Sequence, residues 1–266
     1  MVLTLSFKKG AALVSGGTGR VGEGTVRRLA EGGVPVVFTY RSGRDRAAEI
    51  EDELQGAGHR VCAVELDLSD DASIEAAFAA TRDFGGGIAA VISAGGPMVP
   101  FGRLADLPTD RLETFVRQDA MGIFRLVSRA VAEFRETGGG PIVVCTTIAN
   151  FRVVDFDGAS PFSKGAIEAL IRQVAAEEAG HDIRCNGVAV SWVNDLDPDA
   201  QIAAMAQVPE PEFSHIVSIV RQIEAQTRLQ RPARGEEAGD LFAFLASDQA
   251  RYVSGQTIGF DGGFSL

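Results

Sequence analysis

Seven short apolar runs recur along the chain, and their alternation with helical stretches constrains the fold more than any other feature. The runs, rich in Val, Ile and Ala, lie at 11–15, 35–40, 60–66, 88–93, 141–146, 183–190 and 256–260. Amphipathic helical spacing is found near 21–31, 44–57, 71–83, 109–136, 159–180 and 235–247. Strands that are apolar on both faces and alternate with helices are typical of a parallel sheet covered on both sides. The sequence therefore predicts one α/β domain over residues 1–266, doubly wound, with a seven-stranded parallel sheet.

One interval, residues 192–232, breaks this rhythm because it inserts about forty residues between the last two predicted strands. Phe213, Ile216, Val220 and Ile223 fall on one helical face there, so the segment should fold over another part of the molecule. It is interpreted as a substrate lid, and the alternative is a plain helical cover over the sheet edge. Its content of Ala, Met, Val and Ile favours an apolar small-molecule ligand.

Charge and hydropathy argue against several classes of partner. The net charge of -11 disfavours a nucleic-acid surface, which needs clustered Lys and Arg, and indicates a solvated acidic exterior. No run of about eighteen apolar residues could cross a bilayer. The first ten residues lack the charged start, long apolar run and cleavage site of a secretory signal. We therefore expect a cytoplasmic protein with no membrane partner.

The cysteines do not indicate a metal site or a disulfide framework. Cys62, Cys145 and Cys185 each lie in an apolar run without a CxxC pair or a nearby histidine cluster. They are interpreted as small core residues, and no bound metal is predicted.

The stretch SGGTGRVGEG, residues 15–24, follows the first predicted strand directly. Gly17, Gly19 and Gly22 form G-x-G-x-x-G at a strand-to-helix junction, where glycines let pyrophosphate approach the backbone amides at a helix N-terminus. A structural tight turn is the alternative, but this context favours dinucleotide binding and a Rossmann-type domain. The candidate cofactor contacts of the loop are Ser15, Gly16, Gly17, Gly19, Arg20, Val21 and Gly22.

The end of the second predicted strand bears on the choice of cofactor. An acidic residue there holds the ribose 2′-hydroxyl of NAD, whereas an arginine accommodates the 2′-phosphate of NADP. Here Tyr40 occupies the place of the acid and Arg41 follows it. The sequence therefore favours NADP(H), with NAD as the weaker candidate. Arg20 could add a second cation, or could simply face solvent.

With these motifs in place, the sequence resembles the short-chain dehydrogenase/reductase family over essentially its whole length. The most specific segment is ARGEEAGDLFAFLASDQARYVSGQTIGFDGG, residues 233–263, which resembles that family's closing helix, S-G-Q strand and D-G-G turn. Asp67 resembles the acid after the third strand that contacts adenine. The resemblance also implies cofactor contacts at Leu68, Ala94 and Gly95, and a homotetramer or dimer built through helices 109–136 and 159–180.

The resemblance assigns catalysis to four side chains, of which this chain keeps one. Lys164 matches the lysine that holds the nicotinamide ribose and lowers the pKa of a tyrosine phenol four residues earlier. At the tyrosine's position stands Ser160. Thr147 occupies the position of the serine that polarises the carbonyl, and Asp119 that of an asparagine that anchors a relay water. Two other motifs also differ from the family pattern: Ser93 replaces the asparagine of the N-A-G motif, and Val190-Ser191 replaces the P-G motif.

No tyrosine elsewhere should reach the site, because Tyr40 and Tyr252 map to the adenosine side and to the segment before the last strand. A serine hydroxyl is a weaker acid than a phenol and its side chain is shorter, so Ser160 cannot simply replace the tyrosine.

Three hypotheses about function stay open. The chain could still transfer hydride, with the proton supplied by water, Lys164, Asp119 or the substrate, and with Asp119 pairing to Lys164. It could be a catalytically silent binding protein or subunit, or it could catalyse elimination or isomerisation with Asp119 or His215 as base. For His215, a partly exposed position without a catalytic role is the simpler interpretation.

Overall fold

A computed structural model describes residues 4–266. Its strands are β1 Ala11–Ser15, β2 Val36–Tyr40, β3 Val61–Glu65, β4 Ile88–Ser93, β5 Gly140–Thr147, β6 Ile183–Val190 and β7 Thr257–Phe260. Its α-helices are α1 Arg20–Glu31, α2 Arg44–Gly56, α3 Asp71–Gly85, α4 Thr109–Gln118, α5 Ala120–Thr137, α6 Ala159–Glu177, α7 Pro198–Ala204, α8 Glu212–Gln226 and α9 Gly235–Ala246.

The strands form one parallel sheet in the order β3-β2-β1-β4-β5-β6-β7. The order reverses between β1 and β4, and in open parallel sheets the crevice at such a point, outside the carboxyl ends of the strands, is where ligands bind. The predicted Rossmann-type, doubly wound, seven-stranded sheet is confirmed.

Two apolar layers cover the sheet because side chains alternate along each buried strand. Val14 and Phe38 point to the layer that contains α1, α2 and α9. Leu13 and Val37 point to the opposite layer, which contains α3, α5 and α6. Burying one such side chain fully stabilises the fold by about 1.5–3 kcal/mol. The apolar stripe of α6, with Ile167 and Ile171, packs in this second layer.

Helices α1 and α9 approach each other at backbone distance, which fixes the start of α1 beside the sheet. A Cβ on Gly24 would lie 1.9 Å from the Gly235 carbonyl oxygen, and one on Gly239 would lie 2.3 Å from the Gly24 oxygen. Only glycine permits this contact. The amide groups at the N-terminus of α1 are therefore held rigidly next to the crevice.

The stretch predicted as one helix over 109–136 is two helices that meet at Asp119. The backbone hydrogen bonds continue through the junction, since Asp119 N–H donates to Phe115 O at 2.8 Å and Ile123 N–H donates to Asp119 O at 2.9 Å. The ψ angle of Asp119 is -76°, more negative than the usual helical value of about -42°. The kink therefore lies at Asp119, whose carboxylate accepts hydrogen bonds from side chains of α6.

The inserted segment 192–232 holds α7 and α8, and a bridge between Val193 and Ala233 closes its ends. Ile219 of α8 packs in a small cluster with Ile148, Val154 and Phe264. The apolar face of α8 thus has a protein partner, so the composition of the segment does not by itself specify an apolar ligand. The lid and the helical cover both remain interpretations.

Within residues 4–266, no α-helix is both long enough and apolar enough to span a membrane. The same residues contain no cluster of three or more His, Cys, Asp or Glu side chains able to hold a metal ion. All three cysteines are free thiols, with Cys145 and Cys185 buried and Cys62 partly buried. Burial raises the pKa of the Cys145 thiol to about 11 and that of Cys185 to about 12, as expected of core cysteines.

Candidate cofactor site and active site

A cleft of about 360 Å³ opens at the carboxyl ends of β1 to β4. The segments that follow all four strands contribute to its lining. The residues predicted as site residues that line it are Ser15, Gly16, Gly19, Tyr40, Arg41, Asp67, Leu68, Gly95 and Asp119. The glycine loop, the adenosine-side residues and one member of the proposed catalytic set therefore share one cavity.

The glycine loop has the close contacts that a nucleotide cradle requires. Gly16 has a φ of +76°, and a Cβ there would lie 2.7 Å from Gly95 Cα. A Cβ on Gly22 would lie 2.0 Å from the Gly16 carbonyl oxygen. A Cβ on Gly19, in contrast, would meet only that oxygen, at 3.5 Å. Gly16 and Gly22 thus close the turn, while Gly19 leaves space in front of the α1 N-terminus, which fits a pyrophosphate.

Asp67 has the hydrogen bonds of an ionised acceptor, at the end of the cleft where adenosine is predicted to bind. Ser69 donates to Asp67 Oδ1 from its amide at 2.8 Å and from its hydroxyl at 2.7 Å. These two hydrogen bonds lower the pKa of the Asp67 carboxyl, so it is ionised at neutral pH. Arg41 is exposed at the same end and holds no ion pair that would compete with a phosphate among residues 4–266.

Six predicted cofactor contacts, Lys164 among them, do not line the cleft. Gly17 lies under the loop, where its N–H donates to Thr39 O at 2.9 Å, and Gly22 is buried against the loop. Arg20 is exposed at the start of α1, with Val21 beside it. Ala94 is buried and donates its N–H to Ser15 O at 2.9 Å. The structure gives these residues supporting positions, and the contact of Arg20 with cofactor stays a prediction.

Several lining residues were not predicted from the sequence. They are Thr18, Thr39, Ser42, Gly43, Leu66, Ser69, Gly96, Pro97, Met98, Gln118 and Ile123. Thr18 lies inside the glycine motif and Ser42-Gly43 follow Arg41 directly, so the polar run beside each motif was the available signal. Gln118 and Ile123 carry no such signal, because α4 and α5 reach the cleft only through tertiary packing.

Asp119 and Lys164 form the central ion pair of the site. Lys164 Nζ donates to Asp119 Oδ1 at 2.7 Å, and the Ser163 hydroxyl donates to Asp119 Oδ2 at 2.7 Å. Both carboxylate oxygens are therefore occupied, and the Asp119 side chain is only 1% exposed. A Cβ on Gly96 would lie 3.1 Å from Asp119 Oδ1 and 3.6 Å from Lys164 Nζ. The pair that the sequence suggested is present, against a wall of the cleft.

Thr147 and Ser160 are the two hydroxyl-bearing members of the predicted catalytic set, and neither lines the cleft. The Thr147 hydroxyl accepts from Ala149 N–H at 3.2 Å, which leaves its own proton to donate to an oxygen. Ser160 lies in the first turn of α6 and is 6% exposed. Of the two tyrosines, Tyr40 lines the adenosine end and Tyr252 is fully exposed, so neither stands beside Lys164.

One carboxyl group beside Ser160 was not predicted from the sequence. Burial raises the pKa of Asp157 to about 6, although the hydroxyl and amide of Ser160 act to lower it. Asp157 Oδ1 is buried and has no hydrogen-bond partner among residues 4–266. The available signal was an acid three residues before Ser160, a spacing that brings side chains together at a helix start.

Comparison with known proteins bears on the whole chain. A family model described as Enoyl-(Acyl carrier protein) reductase matches residues 18–265. The oxidoreductase UcpA of Salmonella typhimurium is 30% identical over 256 residues, covering 96% of this chain and 94% of that protein. Versicolorin reductase stcU of Emericella nidulans is 27% identical, covering 95% and 94%. A solved short-chain type dehydrogenase/reductase from Mycobacterium ulcerans has a TM-score of 0.85 at 25% identity, covering 98% of this chain and 92% of that one.

Proposed function

This chain belongs to the short-chain dehydrogenase/reductase family, and from that membership we propose that it is an NADP(H)-dependent oxidoreductase that interconverts a carbonyl compound and an alcohol without a tyrosine acid. The observation that carries the proposal is the cleft that contains the glycine loop and Arg41 together with Gly96 and Asp119, whose carboxylate binds Lys164. The nicotinamide cofactor of the family supplies or accepts the hydride.

Arg41 is the basis for preferring NADP(H) over NAD. Arg41 lines the cleft directly after β2, and the position before it is Tyr40 instead of an acid. A carboxylate at that place would bind a ribose hydroxyl and repel a phosphate, whereas a guanidinium binds a phosphate with charge-assisted hydrogen bonds.

Lys164, Thr147 and Ser160 are assigned different roles in this proposal. Lys164, held by Asp119, is the candidate to contact the nicotinamide ribose. Thr147 and Ser160 are the candidates to hold the substrate oxygen, since each offers a hydroxyl proton to developing negative charge. Hydride transfer needs no general acid in principle, and acid catalysis is worth about 10²- to 10⁴-fold, so the loss of the phenol is compatible with turnover.

A catalytically silent NADP(H)-binding protein or subunit is the second candidate. The closed Asp119–Lys164 pair favours it, because the carboxylate compensates the lysine charge that the family uses to acidify the phenol. Elimination or isomerisation with Asp119 as base has less support, since both oxygens of that carboxylate already accept hydrogen bonds.

Two measurements on the purified protein test the proposal. Fluorescence titration should give tighter binding of NADPH than of NADH, and absence of NADPH binding would contradict every cofactor-based candidate. A panel of ketones, enones and quinones should then give NADPH oxidation above the protein-free blank. Binding without turnover across the panel would favour the silent protein.

The same proposal includes self-association through α4, α5 and α6. A surface groove of about 430 Å³ is lined by residues of these helices: Thr109, Leu112, Glu113, Val116, Arg117, Met121 and Phe162. Met121 is 44% exposed and Phe162 58%. We expect a second copy of the chain to cover these side chains, in a dimer or tetramer.

A further inference from the structure

Asp157 carries a buried polar atom that the interactions described so far do not explain. It lies three residues before Ser160, at the entry to α6, and its Oδ1 has no hydrogen-bond partner within residues 4–266. A buried carboxyl oxygen without a partner costs free energy, and such groups concentrate at sites with a chemical role.

The surrounding elements hold this carboxyl in place. Phe156, directly before it, has a φ of +64°, an unfavourable conformation for a bulky residue. The Gly102 N–H donates to Phe156 O at 2.8 Å, and the Phe156 ring stacks on His215 of α8 with centroids 4.4 Å apart. The loop after β4 and the inserted segment thus fix the direction in which the chain enters α6.

Two other candidate proton donors, Asp119 and Lys164, are already engaged, whereas His215 Nδ1 is buried without a hydrogen-bond partner among residues 4–266. Asp119 accepts hydrogen bonds at both oxygens, and Lys164 donates to it. The Cys145 thiol is buried with its pKa raised to about 11, so it stays protonated near neutrality. Asp157 is the carboxyl group near Ser160 that keeps a free oxygen.

We infer that Asp157 is the proton reservoir for the proposed oxidoreduction, with the Ser160 hydroxyl as the conduit to the substrate oxygen. This rests on the proposed function. In reduction, a bound NAD(P)H would supply the hydride for the new C–H bond, and the carbonyl π pair would move to oxygen. That oxygen takes the Ser160 proton, directly or through one water, since serine is shorter than tyrosine. Ser160 takes the Asp157 proton, and solvent reprotonates Asp157.

The electrostatic surroundings suit this role. Burial raises the pKa of the Asp157 carboxyl to about 6, where both protonation states are populated near neutral pH. The charged or titratable groups on the neighbouring elements include Arg103 on the segment after β4, Glu212 and His215 on α8, and Lys164 on α6. None of them offsets the effect of burial on Asp157.

The test compares D157N with D155N, an exposed aspartate on the same loop, using the best substrate of the carbonyl panel. We expect kcat/KM of the wild-type protein to fall about tenfold per pH unit above pH 6 in the reductive direction. The kcat/KM of D157N at pH 6 should be at least tenfold lower than that of the wild-type protein, and its pH profile should show no midpoint near pH 6. D155N should keep the wild-type kcat/KM and the wild-type midpoint. H215N should keep the midpoint, which separates Asp157 from the imidazole.

A double-mutant cycle tests the conduit. If one relay contains both groups, D157N/S160A should be no slower than the slower single variant within about twofold, because effects within one unit are not additive. NADPH titration of each variant should match the wild-type protein, which shows that the cofactor site is intact. A D157N protein with wild-type rate and pH midpoint overturns the inference and leaves the oxidoreductase standing. Absence of NADPH binding or of turnover in the wild-type protein overturns the proposed function first.

Discussion

Asp119 Oδ1 lies 2.7 Å from Lys164 Nζ, and the carboxylate that makes this contact stands at the position where the family resemblance has an amide. In a buried ion pair of this kind, the carboxylate compensates the positive charge of the lysine, which would otherwise act on the groups around it. The pair therefore links two departures from the family pattern, Asp119 in place of an asparagine and Ser160 in place of a tyrosine. With no phenol at position 160 to acidify, the charge of Lys164 can be compensated by a carboxylate.

Returning both positions to the family's residues should restore acid catalysis. We expect S160Y alone to gain little and S160Y/D119N to reduce carbonyl substrates at least tenfold faster than S160Y, because the uncompensated Lys164 charge can then lower the pKa of the new phenol. S160F/D119N, which adds the ring without the hydroxyl, is the matched control. Steady-state NADPH oxidation checks this, and equal rates for the Tyr and Phe double variants would show that the pocket no longer accepts the family's chemistry.

Arg41 should discriminate between the two nicotinamide cofactors. R41A is expected to weaken NADPH binding by about 10- to 100-fold, the size of one lost charge-assisted interaction, and to leave NADH binding nearly unchanged. R44A is the control, because Arg44 is an exposed arginine close by that instead pairs with Glu65 at 3.5 Å. Fluorescence titration measures both cofactors, and an equal loss for NADPH and NADH would remove Arg41 from 2′-phosphate recognition.

Two glycines of one loop should respond in different ways to alanine. G22A should destabilise the protein by at least about 2 kcal/mol, since its Cβ would collide with backbone that cannot move without opening the turn. G19A should unfold at nearly the wild-type temperature but bind NADPH more weakly, because its methyl group would project into the space left for pyrophosphate. Thermal unfolding and NADPH titration separate the two effects, and unchanged NADPH affinity in G19A would speak against a pyrophosphate at this position.

Asp157 should make stability depend on pH in a definite direction. Its folded-state pKa of about 6 lies above the ordinary value of 3.8 for an aspartate, so the folded protein binds this proton more tightly than the unfolded chain does. The contribution is full below about pH 4 and is lost as pH rises to about 6, a change of about 3 kcal/mol. D157N cannot ionise, so its unfolding temperature relative to the wild-type protein should rise across this interval and then level off. D155N should show no such rise, and a flat difference for D157N would mean that the carboxyl is not held in an environment that opposes its charge.

The exposed apolar side chain of Phe162 should support self-association. F162D places a charge in the groove between α4 and α6 and is expected to shift the protein to a smaller assembly in light scattering. V153D is the control, since Val153 is 77% exposed outside the groove. If F162D keeps the wild-type mass, this groove is not the interface between copies.

The sequence alone was sufficient to predict the sheet and one end of the site. Both depend on local patterns: strands apolar on two faces, helices between them, and glycines where a strand turns into a helix. Arg41 and Asp67 could be placed because each follows a strand directly, and parallel strands bring their carboxyl ends to one edge. Ser160, Lys164, Thr147 and Asp119 were found by spacing within a resemblance, which gave their positions but not their contacts.

Tertiary structure decided which of these side chains interact. Asp119 lies 45 residues from Lys164 in the chain, and the packing of α5 against α6 determines that both of its oxygens are occupied. The kink at Asp119, the protein partner of α8 and the cleft positions of Gln118 and Ile123 also depend on contacts between distant segments. Asp157 was overlooked for a related reason. Its chemistry comes from burial, and the desolvation of a carboxyl group depends on residues from distant segments that close around it, which no local pattern in the sequence records.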